Sequence, residues 1–383
     1  MPVERSLPTP EAAALIDLVR QVAAKELAPA VEAHEAAGAF PRELFRLLGD
    51  LGILGLPYGE EHGGGGQPYE VYLQVLEELA STWLAVALGV SVHTLSAHPV
   101  ATFGTAAQQA RFLPGMLGGA LLGAYALSEP HSGSDAAALA TRAEPSAHGG
   151  YRLTGTKAWI THGGVADYLD VLARTGGPGP RGISCFLVPG DAAGLSAAPP
   201  ERKMGMRASV TAAIHLDGVE VAPDRLIGAP GQGFAVAMAA LDAGRLGIAA
   251  CAVGLAQAAL DAAVRYASGR VAFGQPVARF QGISFLLADA ATAVAAARAL
   301  TLEAARRKDA GLPYGTQAAM AKLFATDTAM RVTTDAVQVL GGAGYTQDHP
   351  VERYFREAKV LQIVEGTNQV QRMVIGRALT EGR

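Results

Sequence analysis

Three short segments of the 383-residue chain hold residue types that could do chemistry. The first is Tyr125-Ala126-Leu127-Ser128-Glu129-Pro130-His131-Ser132-Gly133-Ser134-Asp135. A strand end runs there into small hydroxyls and glycine, so the loop offers N–H and hydroxyl donors to an anion or a polar ring edge. The same residues also make an ordinary Ser/Gly turn. The second is Trp159-Ile160-Thr161, set between Gly155-Thr156-Lys157 and Gly163-Gly164; taken alone, a Trp hemmed by turns reads equally as core. The third is Val364-Glu365-Gly366-Thr367-Asn368-Gln369-Val370-Gln371-Arg372. A carboxylate precedes a glycine and a good N-cap threonine at the mouth of the last helix. A helix N-terminus stabilises negative charge, so Glu365 is either a functional carboxylate or a complement to the helix dipole.

Other chemistries lack their residues. No HExxH pattern and no Cys/His cluster at metal spacing occurs. His93 and His98 read as core or pocket-wall residues. There is no GxSxG elbow and no phosphate-binding P-loop. Gly231-Gln232-Gly233 and Gly342-Ala343-Gly344 follow no strand of a βαβ unit, so they read as turn and helix-boundary glycines. Two cysteines, Cys185 and Cys251, exclude a disulfide scaffold. Half the residues are hydrophobic and 17% charged, so the chain can bury a large core. A net charge of −4 with no basic block argues against a nucleic-acid partner. No uninterrupted apolar run reaches the ~20 residues of a membrane span. Leu246–Leu260 is too short, and Phe112–Leu127 is broken by Pro114 and several glycines. With no signal or transit pattern at the start, the expectation is a cytoplasmic protein without a membrane segment.

The elements that must position these segments fall into three blocks, 1–120, 121–226 and 227–383. In the first, Ala12–Ala37 has helical spacing, with Thr9 as cap, Pro10 in the first turn and Pro29 as a kink or interruption. Further helices follow Pro41 and cover Tyr69–Ala80, Trp83–Phe103 and Ala106–Leu117. The middle block has short runs of β-formers between Gly/Pro clusters, which predicts a small antiparallel barrel or sandwich, with a turn at Asp217-Gly218. In the last block, Phe234–Ala267, Phe280–Lys308 and Ala318–Leu340, followed by Val351–Val360 and Gln369–Leu379, predict a four-helix bundle. The fold class is α+β.

Taken together the segments resemble the acyl-CoA dehydrogenase family over nearly the whole chain. Ala126-Leu-Ser-Glu-Pro-His-Ser-Gly-Ser-Asp135 is similar to that family's first signature. Gln338-Val-Leu-Gly-Gly-Ala-Gly-Tyr-Thr-Gln-Asp348, continued to Arg353 and Glu357, is similar to its second. Trp159-Ile-Thr161, Leu241-Asp-Ala-Gly-Arg245, Gly269-Arg-Val-Ala-Phe-Gly274, Phe280-Gln281 and Glu365-Gly-Thr367 complete the set in the family's order and spacing.

The resemblance implies an α-domain, a β-domain and a C-terminal four-helix bundle, with FAD as cofactor and an acyl-CoA as substrate. It implies that Tyr125, Ala126, Leu127, Ser128, Gly133 and Ser134 line FAD, and that Trp159, Ile160 and Thr161 flank its isoalloxazine. Arg270, Phe273 and Gln281, with Gln338, Val339, Leu340, Gly341 and Gly342, would reach the FAD of a neighbouring subunit. Thr367, Asn368 and Gln369 would bind FAD from the last helix. Ser134, Asp242, Ala243, Gly244, Arg245 and Gly366 would contact substrate. A cofactor shared between subunits implies an oligomer, typically a homotetramer, and the family's electron acceptor is electron-transfer flavoprotein.

The implied reaction removes the α-proton to Glu365 and the β-hydrogen as hydride to flavin N5, giving the trans-2-enoyl-CoA. Some members carry the base immediately before the Arg of the Leu-Asp-x-x-Arg segment. Gly244 occupies that position here and cannot serve, which leaves Glu365. Gly244 and Ser91-Val-His-Thr94 are also similar to the short-chain members, pointing to short or medium straight acyl chains, with branched and aromatic acids open. A same-fold oxidase or monooxygenase and a non-catalytic flavoprotein relative are the alternatives. A monooxygenase would not need Glu365, and a DNA-associated silent relative would show a basic groove and a lost base.

Overall fold

The structure, a computed structural model, describes residues 3–147 and 149–381. The first six helices are α1 (Pro10–Val22), α2 (Ala28–Ala37), α3 (Arg42–Asp50), α4 (Tyr69–Thr82), α5 (Leu84–Phe103) and α6 (Ala106–Leu117). Thr9 caps α1 as its sequence requires, its Oγ1 accepting the Ala12 N–H at 3.1 Å. Thr105 and Gln108 form a full capping box on α6. Pro29 produces no sharp kink. Instead the turn just before it, Ala23–Leu27, is a π-helix, and the Ala28 N–H reaches back to Ala23 O. Widening that turn accommodates a residue that has no N–H and whose ring would clash with the carbonyl four residues back.

Eight strands follow: β1 (Gly123–Ala126), β2 (Arg142–Pro145), β3 (Tyr151–Thr161), β4 (Tyr168–Arg174), β5 (Ile183–Pro189), β6 (Leu195–Ala197), β7 (Thr211–Val221) and β8 (Leu226–Ile227). They form one sheet in the order β6-β7-β3-β2-β4-β5-β8, with β1 also paired to β4. The sheet is mixed: β1 and β2 both run parallel to β4. The turn expected at Asp217-Gly218 is absent. β7 continues through it, and the register moves from Leu153↔Val219 to Gly155↔Leu216, leaving one extra residue on β7. Gly218, at φ +65°, takes up that bulge.

The C-terminal part is α7 (Gly233–Gly269), a hairpin of β9 (Val271–Ala272) and β10 (Gln275–Pro276), then α8 (Gln281–Asp309), α9 (Gly315–Leu340), α10 (Val351–Leu361) and α11 (Asn368–Glu381). α7, α8 and α9 pack against one another, and α10 and α11 pack on α9. One large core joins α4, α5 and this bundle, a second lies between the sheet and α5, α6 and α7, and a third lies within the sheet.

Although no unbroken apolar run is long, α5, α7 and α8 are each long and apolar enough to cross a membrane by length and composition. Alanine and glycine supply that character. The apolar stretches of α5 and α7 lie mostly inside the fold, whereas that of α8 lies mostly at the surface.

Candidate active site

Glu365 sits in the connection between α10 and α11, with φ +52°. A left-handed backbone is costly for a non-glycine residue, about 1–3 kcal/mol, and persists only where the surroundings impose it. Here they do. Lys322 of α9 is fully buried and donates from Nζ to Gly366 O and to Asn368 Oδ1, both at 2.9 Å. Gln371 Nε2 donates to Gly366 O at 2.8 Å. Thr367 Oγ1 caps α11 by accepting the Val370 N–H at 3.3 Å. Asn368 Nδ2 donates to Thr326 Oγ1 and Asp327 Oδ1. Gly366, at φ +91°, must be glycine, because a Cβ there would lie 2.7 Å from Gln371 Nε2.

The Glu365 carboxylate oxygens are buried and have no hydrogen-bond partner. They lie against α7 at Gly244, where an added Cβ would stand 2.1 Å from Oε2. The absent side chain at 244 is therefore the space that Glu365 fills. Burial pushes the Glu365 carboxyl up from 4.5 to about 7, against the opposing pull of Lys322 and Arg245. Arg245 is itself buried, with Nη1 2.6 Å from Asp242 Oδ1. Burial also lowers Lys322 to about 8, with Glu365 raising it and Arg245 lowering it. The result is a desolvated carboxyl near neutrality, beside two cations that other groups hold in place. A cavity of about 30 Å³, roughly the share of one water, adjoins Gly244 between α5 and α7. It is lined by Tyr58, Tyr69, Ser91, Thr94 and Leu95 among others.

The loop after β1 is organised by a buried ion pair. Lys157 Nζ lies 2.8 Å from Glu129 Oε1 and donates to Leu127 O at 3.1 Å. The same carboxylate accepts the N–H groups of Ala140 and Thr141. Burial alone would raise Glu129, but Lys157 and these donors pull it down to about 2. Burial lowers Lys157 to about 8 despite Glu129. Two reciprocal bonds between Glu129 and Ser132 then close the loop, leaving Gly133 and Ser134 exposed.

Trp159 owes its position to a bulge. The register moves from Lys157↔Ile214 to Ile160↔Ala212, so β3 carries one extra residue. Trp159 adopts φ +62° and turns outward, 64% exposed, while Ile160 remains in the core. His162 anchors the strand end, its Nδ1 2.9 Å from Gly123 O. His93 is a satisfied core histidine: Nδ1 accepts the Gly123 N–H at 3.0 Å, so Nε2 donates to Met116 O at 2.9 Å.

Glu365, Gly366, Asp242, Ala243, Gly244 and Arg245 thus meet where α7 passes the α10–α11 connection, and Tyr125 to Ser134 meet β3 near Trp159. Ala126 and Leu127 are buried in the core, so they offer a ligand only backbone. The Asn368 side chain turns inward as an anchor, and Gln369 is exposed. Arg270, Phe273 and Gln281 stand apart on the surface, around the hairpin whose two-residue turn, Phe273-Gly274, has φ +49° and +78°. Phe273 is 95% exposed. Gln338, Gly341 and Gly342 are exposed, whereas Val339 and Leu340 are buried. Lys157, Glu129, Lys322 and Gln371 carry no role in the motif reading. Lys322 had a signal, as the lone charge in Ala318-Ala319-Met320-Ala321-Lys322.

Comparison with known proteins decides the family. The N-terminal, middle and C-terminal domains of acyl-CoA dehydrogenase match residues 9–120, 124–219 and 231–380. The chain belongs to the acyl-CoA dehydrogenase family. An acyl-CoA dehydrogenase of Bacillus subtilis (strain 168) is 45% identical over 376 residues, 98% of this chain and 99% of that one. The structure of butyryl-CoA dehydrogenase from Megasphaera elsdenii superposes with a TM-score of 0.96 at 42% identity, covering 98% of this chain and all of the other. The same TM-score and identity hold for a chain in the structure "Electron transferring flavoprotein of Acidaminococcus fermentans: Towards a mechanism of flavin-based electron bifurcation", covering 99% and 100%.

This acyl-CoA dehydrogenase is accordingly an FAD-dependent oxidoreductase. Its residues suit that cofactor: an outward-facing indole on a bulged strand stands near a pinned loop of small residues, and a desolvated carboxyl without a partner waits beside α7.

Proposed function

We propose that this acyl-CoA dehydrogenase desaturates a short, straight-chain acyl-CoA to the trans-2-enoyl-CoA, with Glu365 as the base. The observation that carries the reading is the Glu365 carboxylate, buried, unpartnered and seated in the space that Gly244 leaves open. A weakly acidic C–H is removed only by a positioned, desolvated base whose pKa lies near the working pH. A carboxyl raised to about 7 meets that need. The Glu365 backbone N–H makes no hydrogen bond among the described residues. It is placed to donate to the thioester oxygen as negative charge develops there, and one such donor is worth roughly 3 kcal/mol.

FAD, when bound, supplies the acceptor for the β-hydrogen. In this reading Tyr125–Ser134 and Trp159–Thr161 hold it from the β side, and Thr367 and Gln369 from the start of α11. Asp242, Arg245, Gly366 and Ser134 orient the substrate. The small volume beside Gly244 supports a short acyl chain.

Arg270, Phe273, Gln281 and Gln338–Gly342 face outward, and Val271, Phe285, Tyr345 and the outer face of α8 are exposed and apolar. That surface supports a homotetramer in which these residues serve a neighbouring subunit's FAD. The partner that takes the electrons, in this reading, is an electron-transfer flavoprotein. Anaerobic titration with acetyl-, butyryl-, hexanoyl-, octanoyl- and isobutyryl-CoA tests the substrate assignment. Bleaching of the bound flavin should be fastest with butyryl-CoA, and fastest bleaching with octanoyl-CoA or a branched thioester would refute it.

A further inference from the structure

A second concavity, about 550 Å³, opens at the rim of the sheet between residues 137–142 and the glycine-rich connection 176–179. Arg174, the last residue of β4, holds its frame. Nε donates to Leu139 O at 3.1 Å, Nη2 to Ala137 O at 2.8 Å and Leu139 O at 3.0 Å, and Nη1 to Gly177 O at 2.6 Å and Gly179 O at 3.1 Å. Every acceptor is a backbone carbonyl, so no carboxylate neutralises the guanidinium.

Arg142 stands opposite Arg174 in the β2–β4 ladder. It is exposed, and its side chain has neither ion-pair nor hydrogen-bond partner among the described residues. The acid two positions along, Glu144, is paired with Arg152 at 3.3 Å. Added side chains at Gly177 and Gly179 would meet nothing within 4 Å, so glycine keeps that wall low and open. The dish therefore presents two uncompensated guanidinium groups beside bare backbone, a combination that suits a phosphate carried on a planar base.

We propose that this dish binds the phosphate-bearing adenosine end of the CoA thioester, with Arg142 as the phosphate ligand. The inference rests on the acyl-CoA reading above and extends it to the far end of the substrate. Continuity supports it: Ser134, assigned to the reacting end, is three residues from Ala137 on the dish wall, at most about 11 Å of chain. Inorganic phosphate and free nucleotides share this chemistry, and truncated substrates separate them from a thioester anchored at both ends.

The experiment measures KM and kcat of the FAD-loaded enzyme and of Arg142→Ala, Arg142→Glu and Arg142→Lys with three substrates: butyryl-CoA, its 3′-dephospho form and butyryl-pantetheine. Arg142→Ala should raise KM for butyryl-CoA about tenfold, the scale of a lost charge-assisted contact, and Arg142→Glu should raise it further. Arg142→Lys should recover part of the loss, and salt should weaken butyryl-CoA binding to the wild type. KM for butyryl-pantetheine, which lacks the group Arg142 meets, should move less than twofold. Equal wild-type KM for the CoA and pantetheine thioesters, or a KM rise in Arg142→Ala that is the same for both, would overturn the subsite while leaving the acyl-CoA reading intact. A wild-type enzyme that turned over none of the three would overturn both.

Discussion

Glu365→Gln should separate catalysis from stability, in opposite directions. In the folded enzyme burial raises the carboxyl from 4.5 to about 7. Below about pH 4.5 it is neutral in both folded and unfolded chains and costs nothing. Between 4.5 and 7 the unfolded chain ionises first, so stability falls as pH rises. Above 7 the full cost is present, about 3 kcal/mol for a displacement of that size. Glutamine is close to isosteric and cannot ionise. The variant should therefore be more stable than wild type at pH 8, by up to about 3 kcal/mol in urea unfolding, with the gap closing toward pH 4.5. Flavin reduction by butyryl-CoA in anaerobic stopped flow should fall by at least the ~10²–10⁴-fold that loss of a general base costs. The acid limb of the wild-type kcat/KM profile, near pH 7, should disappear with it. If Glu365 only complements the dipole of α11, the same change costs a few tenths of a kcal/mol and turnover survives. Flavin reduction within about tenfold of wild type, short of the general-base range, would refute the assignment of the base. A variant less stable than wild type at pH 8 would refute the burial argument.

Three further outcomes follow from particular contacts. Gly244→Ala puts a methyl where Glu365 Oε2 lies, 2.1 Å from the new Cβ, so kcat should drop at least about tenfold (one tenfold step per 1.4 kcal/mol) with FAD retained, as read by steady-state kinetics and the flavin spectrum. Lys157→Met strands the buried Glu129 carboxylate; unfolding should show a loss of about 3–5 kcal/mol, and the flavin content of the purified variant should fall as the Ser128–Ser134 loop loosens. Arg270→Ala should lose FAD and oligomer together, measured by flavin absorbance and size-exclusion chromatography, and retention of both would show that Arg270 serves no neighbouring subunit.

Much of this site was legible as sequence because its pieces are local. Thr367 caps a helix from one position before it, and Gly366 beside Glu365 marks a connection that needs positive φ, so the 364–372 segment displays its own geometry. Gly244 likewise shows by its identity which of two base positions is vacant. Lys157 and Glu129 lie 28 residues apart and close only when β3 folds beside the loop after β1. Lys322 reaches Asn368 across 46 residues. Neither pair has a spacing that announces it. The bulges that turn Trp159 outward and carry Gly218 arise from register between β3 and β7, and Asp217-Gly218 alone looks the same in a hairpin turn. Pro29 shows that the helix must adjust, while the form of the adjustment, a π turn, depends on what α1 and α2 pack against.

By itself, then, the order of residues determined the helix and strand periods, the caps, the three-part division of helix, sheet and helix, and a signature set specific enough to name a chemistry. Those properties depend on neighbours a few residues apart, where backbone sterics and side-chain hydrogen bonds act without the rest of the chain. Tertiary structure decided what Glu365 is. Only packing of the α10–α11 connection against α7 removes water from its carboxylate, and only the burial of Arg245 and Lys322 nearby sets how far that burial can raise its pKa. A carboxyl's proton affinity is set by the dielectric and the charges within a few ångströms of it, and in this fold those come from residues more than forty and more than a hundred positions away.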